Sequence, residues 1–255
     1  MSSRQKKSWP VSPALYDRSY FLGSCGGHEL YRESRGALLD ERLSIILQMA
    51  GVGPGMSVLD LGCGRGELVR HCMEAGAKVW GVDLSWEAIR ISRETLGGSL
   101  GRAGLCLAHC RHLPFGDGLL HRVLLSDILE HLTREELRGA VREVHRVLRP
   151  GGLVVFHTFP NRWFYNLFYP LKRLFWDIPR GKAGPRNPRS HYEKILHVQE
   201  LSPWGLRKNF RPWFRIRMWC AHRSRWDPQT RRFRARGGPL ALLREPELWG
   251  MAWKR

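Results

Sequence analysis

Short apolar segments alternate with amphipathic ones over residues 57–158. This predicts an α/β fold: a doubly wound sheet, mostly parallel, with a C-terminal antiparallel strand pair. Three observations carry the prediction. Apolar runs of strand length recur between stretches with helical period, the pattern of a parallel sheet covered on both faces. A glycine-rich turn, Gly62-Cys63-Gly64-Arg65-Gly66, joins the first strand to the helix after it. Two late apolar segments, Phe214 to Ala221 and Leu248 to Trp253, read as the closing pair.

The elements follow in order. Residues 37–50 (ALLDERLSIILQMA) put Leu38, Leu39, Leu43, Ile46, Leu47 and Ala50 at helical spacing, and Gly51, Gly53, Pro54 and Gly55 break the helix. Ser57 to Leu61 reads as a buried strand, Glu67 to Ala75 as a helix and Lys78 to Val82 as the second strand. Ser85 is placed to cap a helix running to about Leu96. Gly104 to Ala108 and Arg122 to Ser126 are the third and fourth strands. Thr133 caps an amphipathic helix, Arg134 to Leu148, with Leu137, Val141, Val144 and Leu148 on one stripe. Pro150, Gly151 and Gly152 stop it ahead of a fifth strand, Leu153 to Thr158. Beyond Pro160 the period degrades. Asn161 to Ile178 is aromatic and apolar with basic punctuation, and Pro179 to Arg189 reads as an exposed loop. Glu200 to Phe210 reads as a helix, and Arg223 to Leu242 as a basic loop between the closing strands.

The chain has 255 residues, 43% hydrophobic and 25% charged, which suits one large α/β domain with additions. No run approaches the roughly 18 to 20 apolar residues that span a bilayer. No apolar segment follows the basic start, so no signal peptide is expected and the expected location is cytoplasmic. The six cysteines form no Cys-x-x-Cys pair and are expected to stay reduced. His109, Cys110 and His112 lie together, as do Cys220 and His222, but neither spacing matches a standard zinc pattern, so no metal is expected. The formal net charge is +19, and it is unevenly spread. Residues 1–160 hold 20 Lys and Arg against 17 Asp and Glu, whereas residues 161–255 hold 22 against 6. The second region would attract anionic partners.

The turn after the first strand follows G-x-G-x-G, which lets backbone approach a ligand closely. In open α/β sheets, ligands sit beyond the carboxyl ends of the strands at the switch point, where this loop falls. Asp83 lies 19 positions after Gly64, at the end of the second strand, a spacing that suits a carboxylate accepting hydrogen bonds from ribose hydroxyls. A dinucleotide site would need G-x-G-x-x-G, but position 67 is Glu, and an acidic group at a helix start would repel a pyrophosphate. Asp60 adds a second carboxylate. The pair suits a ligand carrying an ammonium and a sulfonium.

At this point the chain resembles the class I S-adenosylmethionine-dependent methyltransferases, a Rossmann-like family. It is most similar to the small-molecule group that includes the ubiquinone and menaquinone biosynthesis methyltransferases. The resemblance covers about residues 40–160 and rests on VLDLGCGRGE (58–67), GVDLS (81–85), LPF (113–115), LLSDILEHL (124–132) and VLRPGGLVVFHTFPN (147–161). It implies S-adenosylmethionine as cofactor, with Asp60, Gly62, Gly64 and Gly66 framing the methionine part and Cys63 in the same cofactor-binding loop. Asp83 would hold the ribose, with Leu84 beside the adenine. His112, just before the Leu-Pro-Phe element, is placed in the same cofactor-binding set, and Asp127 near the methionine end or the substrate. The family often has an acidic residue where this chain has His109, and Phe-Asp where it has Leu120-His121.

Methyl transfer from a sulfonium is an in-line displacement in which positioning can supply much of the catalysis. A general base is needed only where the acceptor must lose a proton, and His131 is the candidate. His157 ends a central strand and is expected to serve packing. Residues 1–36 are expected to form an N-terminal lid or flexible segment, residues 37–160 the cofactor-binding core, and residues 161–255 a basic, aromatic-rich substrate-side insertion plus closing strands of the same domain. The aromatic stretch Trp163, Phe164, Tyr165, Phe168, Tyr169, Phe175 and Trp176 has three readings: a lid, an apolar substrate pocket, or a membrane-facing helix. The acceptor is expected to be a small molecule, with anionic or lipid-like character. The alternative is an RNA-directed or membrane-surface binding protein on a methyltransferase fold. Cations from Arg207 to Arg236 interleave with Phe210, Trp213, Phe214, Trp219 and Trp226, but no base-methylating signature is present and nucleic acid is not favoured.

Overall fold

The computed structural model describes residues 12–97, 101, 103–182, 184–223, 226–230, 232–234 and 241–255. Trp9 and parts of the basic 223–242 segment lie outside them. Nine strands are present among the described residues: β1 (Ser57–Leu61), β2 (Lys78–Asp83), β3 (Ala103–Leu107), β4 (Leu120–Ser126), β5 (Leu148–Thr158), β6 (Phe214–Cys220), β7 (Trp226–Asp227), β8 (Arg232–Phe233) and β9 (Leu248–Lys254). Seven form one sheet in the order β3-β2-β1-β4-β5-β9-β6, and β7 and β8 pair separately. Strands β1 to β5 are parallel, whereas β9 runs antiparallel to both β5 and β6. The expected closing pair is therefore present, with its second strand inserted between the first and the parallel core.

The alternation along each strand sorts side chains to two layers. Leu59, Leu61, Val123, Leu125, Val154 and Phe156 face α6 (Arg134–Val147) and α9 (Pro203–Phe210). Val58, Leu124, Leu153 and Val155 face the opposite layer with Ile46, Met49 and Val69, from α3 (Glu41–Ala50) and α4 (Glu67–Glu74). The chain leaves β1 toward β2 on one side and returns from β3 to β4 on the other. The gap between β1 and β4 is thus the switch point.

Most helix starts are where the caps predict. Ser85 accepts from Ala88 N–H at 3.2 Å at the head of α5 (Trp86–Thr95), and Thr133 and Glu136 form a reciprocal capping box on α6. The 37–50 helix is shorter than its apolar pattern, because Asp40 caps it and leaves 37–39 outside. Strand β5 begins earlier than expected, with Leu148 pairing Leu120 before the register shifts ahead of Arg122. Between Phe164 and Arg180 the chain is helical, with wide π-type turns at Phe164–Phe168 and Arg173–Asp177 around α7 (Tyr169–Lys172). Pro170, which has no N–H, interrupts the regular hydrogen-bond ladder there. A further helix, α8 (His191–Leu196), starts at a Ser190–Glu193 capping box within a stretch that shows little period.

The N-terminal helices α1 (Arg18–Gly23) and α2 (His28–Ser34) lie over the glycine loop and are tied there by Arg65. This guanidinium is 3% exposed. It donates to the carbonyls of Phe21 (2.9 Å) and Gly26 (2.8 Å), and to both carboxylate oxygens of Glu67 (3.1 and 3.0 Å). It also sits over the Tyr31 ring, 5.0 Å from the centroid. Arg65→Ala leaves the buried Glu67 carboxylate without its counter-charge. Urea unfolding is expected to show a loss of about 3–5 kcal/mol, with a smaller loss for Arg65→Lys, which keeps the charge but not the fork.

Candidate active site

The carboxyl ends of the parallel strands open into a cavity of about 460 Å³. Its floor is the glycine loop. Gly62 and Cys63 donate their N–H groups to the Val82 carbonyl at 2.7 and 3.1 Å, which ties the loop to the end of β2. Gly62 has φ +79°, and a Cβ there would meet Ile128 at 2.9 Å, so this position excludes a side chain both by conformation and by space. Gly66 closes the loop. It heads α4 at φ +81° and packs on Ser92 of α5, where a Cβ would come within 2.8 Å, and it does not line the cavity.

Asp60 and Asp83 both line the cavity, in contrasting states. Asp83 is held by two backbone donors, Gly64 N–H to Oδ2 at 3.0 Å and Ser85 N–H to Oδ1 at 2.9 Å. Burial raises its pKa, and those amides oppose the rise. Asp60 is 2% exposed, and its Oδ1 has no hydrogen-bond partner. Burial, and then the neighbouring Asp83 and Glu67, push its pKa up to about 8. A buried carboxylate oxygen without a donor is the feature that a cationic ligand group would satisfy. Glu67 lies at the head of α4, as read from the sequence, but its charge is taken up by Arg65. Glu67 therefore offers a diphosphate little repulsion, and Asp83 is the cavity carboxylate whose charged form its backbone donors favour.

The remaining expected residues divide. Cys63, Gly64, Leu84 and Asp127 line the cavity. His112 does not: it is exposed, on the turn after Cys110, and Ala108, His109 and Cys110 line the wall in its place. His109 Nε2 stands 3.4 Å from Glu136, which also lines the cavity, so α6 supplies a carboxylate beside the position where the family often has one. Asp127 sits in left-handed backbone at φ +50°. It pairs with Arg42, which is also 3.0 Å from Asp40, and its Oδ1 accepts from His157 Nδ1 at 2.5 Å. His157, read from the sequence more as a packing residue than as a base, lies against Trp249 with tilted rings whose centroids are 4.2 Å apart, and it also lines the cavity. Burial, and then Arg42, depress its pKa to about 3.

His131 lines the far wall. Its Nδ1 lies 3.1 Å from the Leu196 carbonyl and 3.0 Å from the Tyr16 hydroxyl. Burial, and then His197, depress its pKa to about 3, so it gains a proton poorly where it stands. Around it are Tyr16 and Tyr20, from the N-terminal segment expected as a lid or flexible start, and residues that the sequence pattern did not disclose: Phe159, Tyr192, Leu196 and His197. The Ser-x-x-Glu spacing at 190–193 is the signal from which α8, and so this wall, could have been found.

Fold and site together fit S-adenosylmethionine. The doubly wound sheet, the backbone cradle, a carboxylate held by two amides and a buried carboxylate oxygen without a donor are all compatible with that ligand. The methyltransferase-domain family profile matches residues 58–152. An uncharacterised methyltransferase of Synechocystis sp. is 35% identical over 135 residues, which are 52% of this chain and 60% of that protein. The ubiquinone/menaquinone biosynthesis C-methyltransferase UbiE of Cupriavidus metallidurans is 30% identical over 206 residues, 75% of this chain and 79% of that protein. The crystal structure of an S-adenosylmethionine-dependent methyltransferase from Aquifex aeolicus shares the fold, with a TM-score of 0.58 and 15% identity over 96% of this chain and all of that one. The chain belongs to the class I S-adenosylmethionine-dependent methyltransferases.

Two outcomes test this site. Asp83→Ala is expected to weaken S-adenosylmethionine binding at least about tenfold by calorimetry, since a hydrogen bond to a charged group contributes roughly 1.5–3 kcal/mol. Asp60 keeps its proton up to about pH 8 in the folded chain, against about 3.9 when unfolded. The folded state therefore binds more protons, and this residue lowers stability as pH rises through that interval. At pH 7 the ligand's ammonium should displace the proton. Calorimetry in two buffers of different ionisation enthalpy should then show proton release, absent in Asp60→Asn. Equal heats for the wild type would exclude Asp60 as the ammonium partner.

Proposed function

We propose that the chain transfers a methyl group from S-adenosylmethionine to an O, N or C atom of a small lipid-like or anionic acceptor, met in the cytoplasm at a membrane surface. Bound S-adenosylmethionine supplies an electrophilic methyl group on a sulfonium. The protein binds this donor through Asp60, Gly62, Cys63, Gly64, Asp83 and Leu84, and offers the acceptor a wall of Tyr16, Tyr20, Phe159 and Tyr192. With its basicity depressed, His131 acts by holding the acceptor rather than by taking its proton.

One observation carries the membrane-surface reading. Leu167, Leu171, Leu174, Phe175, Trp176 and Ile178 are 43–70% exposed along a single helical segment, with Arg162, Lys172, Arg173 and Arg180 among them. Apolar side chains flanked by cations on an exposed helix suit the interface of an anionic bilayer. No helix among the described residues is long and apolar enough to cross a membrane. Of the five aromatics in the nucleic-acid reading, Phe210 and Phe214 are fully buried and Trp219 and Trp226 pack against Phe233, which leaves Trp213 as the exposed ring among them.

The full chain is expected to sediment with phosphatidylglycerol-containing vesicles, less so as salt is added, and not with pure phosphatidylcholine. Replacing Phe175 and Trp176 by Ser should weaken this at least about tenfold, because burial of each aromatic contributes roughly 1.5–3 kcal/mol. Labelled methyl groups from S-adenosylmethionine should then appear in the organic phase of a cell extract. Label confined to RNA would overturn the proposal.

A further inference from the structure

The sequence offered His109, Cys110, His112, Cys220 and His222 as potential metal ligands, and the structure does not gather them into a set. Among the described residues it gathers a different one. Glu130, His131 and His197 each offer a ligand atom within 4.8 Å of the other two. Glu130 and His131 come from the 3-10 turn after β4, and His197 follows α8, 66 residues later in the chain. All three line the cavity.

Four features distinguish this cluster from side chains that merely pack. The Glu130 carboxylate is 2% exposed and oriented by Thr158, whose hydroxyl donates to Oε2 at 2.7 Å. His131 Nδ1 is engaged by the Leu196 carbonyl at 3.1 Å and the Tyr16 hydroxyl at 3.0 Å, so Nε2 is the ring nitrogen left for a ligand. His197 Nδ1 is buried without a hydrogen-bond partner, and so is Gln199 Oε1 two residues on. The Gln199 N–H donates to the Glu130 carbonyl at 3.1 Å, so backbone clamps the two segments together. Orphaned buried donors and acceptors are uncommon, and two within one short segment beside a carboxylate call for a missing partner.

We propose that Glu130, His131 and His197 bind a divalent transition-metal ion. Two imidazoles and one carboxylate suit Zn²⁺, Mn²⁺ or Fe²⁺, and three protein ligands leave coordination positions open. Bond lengths of roughly 2.0–2.2 Å require the three groups to close in by about an ångström, within the reach of side-chain rotation. The open positions face the cavity, so they would be completed by oxygen atoms of the acceptor. This deepens and rests on the methyltransferase reading: the acceptor class it selects is a molecule presenting a hydroxyl or a pair of neighbouring oxygens.

The test uses the full chain freed of metal by chelation, titrated with Zn²⁺ and Mn²⁺ by calorimetry and with Co²⁺ by visible absorption. One equivalent is expected to bind, at least about tenfold more weakly in E130Q, H131Q and H197Q. All three variants should keep wild-type affinity for S-adenosylmethionine in metal-free buffer, which also reports that they are folded. Absence of binding, or binding that none of the three substitutions weakens, overturns the metal site. Loss of S-adenosylmethionine binding by the metal-free wild type would instead overturn the methyltransferase reading.

Discussion

A guanidinium inside a protein must have every donor answered, and Arg65 meets this by drawing three segments onto one point. Its partners are the carboxylate of Glu67, two positions away, and the carbonyls of Phe21 and Gly26, some forty positions earlier. Leaving any of them unpaired in so dry a place would cost several kcal/mol. The glycine loop, the start of α4 and the N-terminal helices therefore hold one relative position. Tyr16, Tyr20 and Phe21 line the cavity, and that arginine holds the chain on which they ride.

Within the enclosure, the two central carboxylates differ for reasons that are local. Asp83 ends its strand where two amides converge, and these donors favour its charged form. Asp60 lies deeper, has no donor on one oxygen and stands near two other carboxylates, so it keeps its proton. One side chain is thus ready to accept from hydroxyls, and the other becomes fully charged only against a cation. That contrast favours a donor carrying both a ribose and an ammonium over a diphosphate. Glu67, the residue that first argued against a diphosphate, is silenced by Arg65.

The basic, aromatic last third resolves into two environments. Where aromatic residues alternate along β6 and β9 they are drawn into the sheet: Phe214 and Trp249 are wholly buried. Between Phe164 and Arg180, π-type turns interrupt the regular helix, and the apolar side chains remain exposed among cations. Composition is similar in both places, so burial there depends on whether a neighbouring sheet face is available.

The parallel core and its cofactor loop were legible in the sequence because both depend on local rules. A strand buried on both faces needs an apolar run, a helix needs a cap, and a tight turn against a ligand needs glycine. VLDLGCGRGE with Asp83 satisfied these within some thirty residues, and the donor site followed. Gly66 and His112 lie in or beside the same motifs but do not line the cavity, since adjacency in sequence does not say which way a residue points. The far wall of the cavity depended on contacts between distant segments. His131 meets Leu196, Asp127 meets Arg42 and His157, and His109 meets Glu136, pairs separated by 27 to 85 positions that no periodicity records. The sequence by itself determined the methyl donor. Only the tertiary structure decided what forms the far wall of the cavity, because that wall is made where residues 16–27, the turn after β4 and the segment around α8 converge.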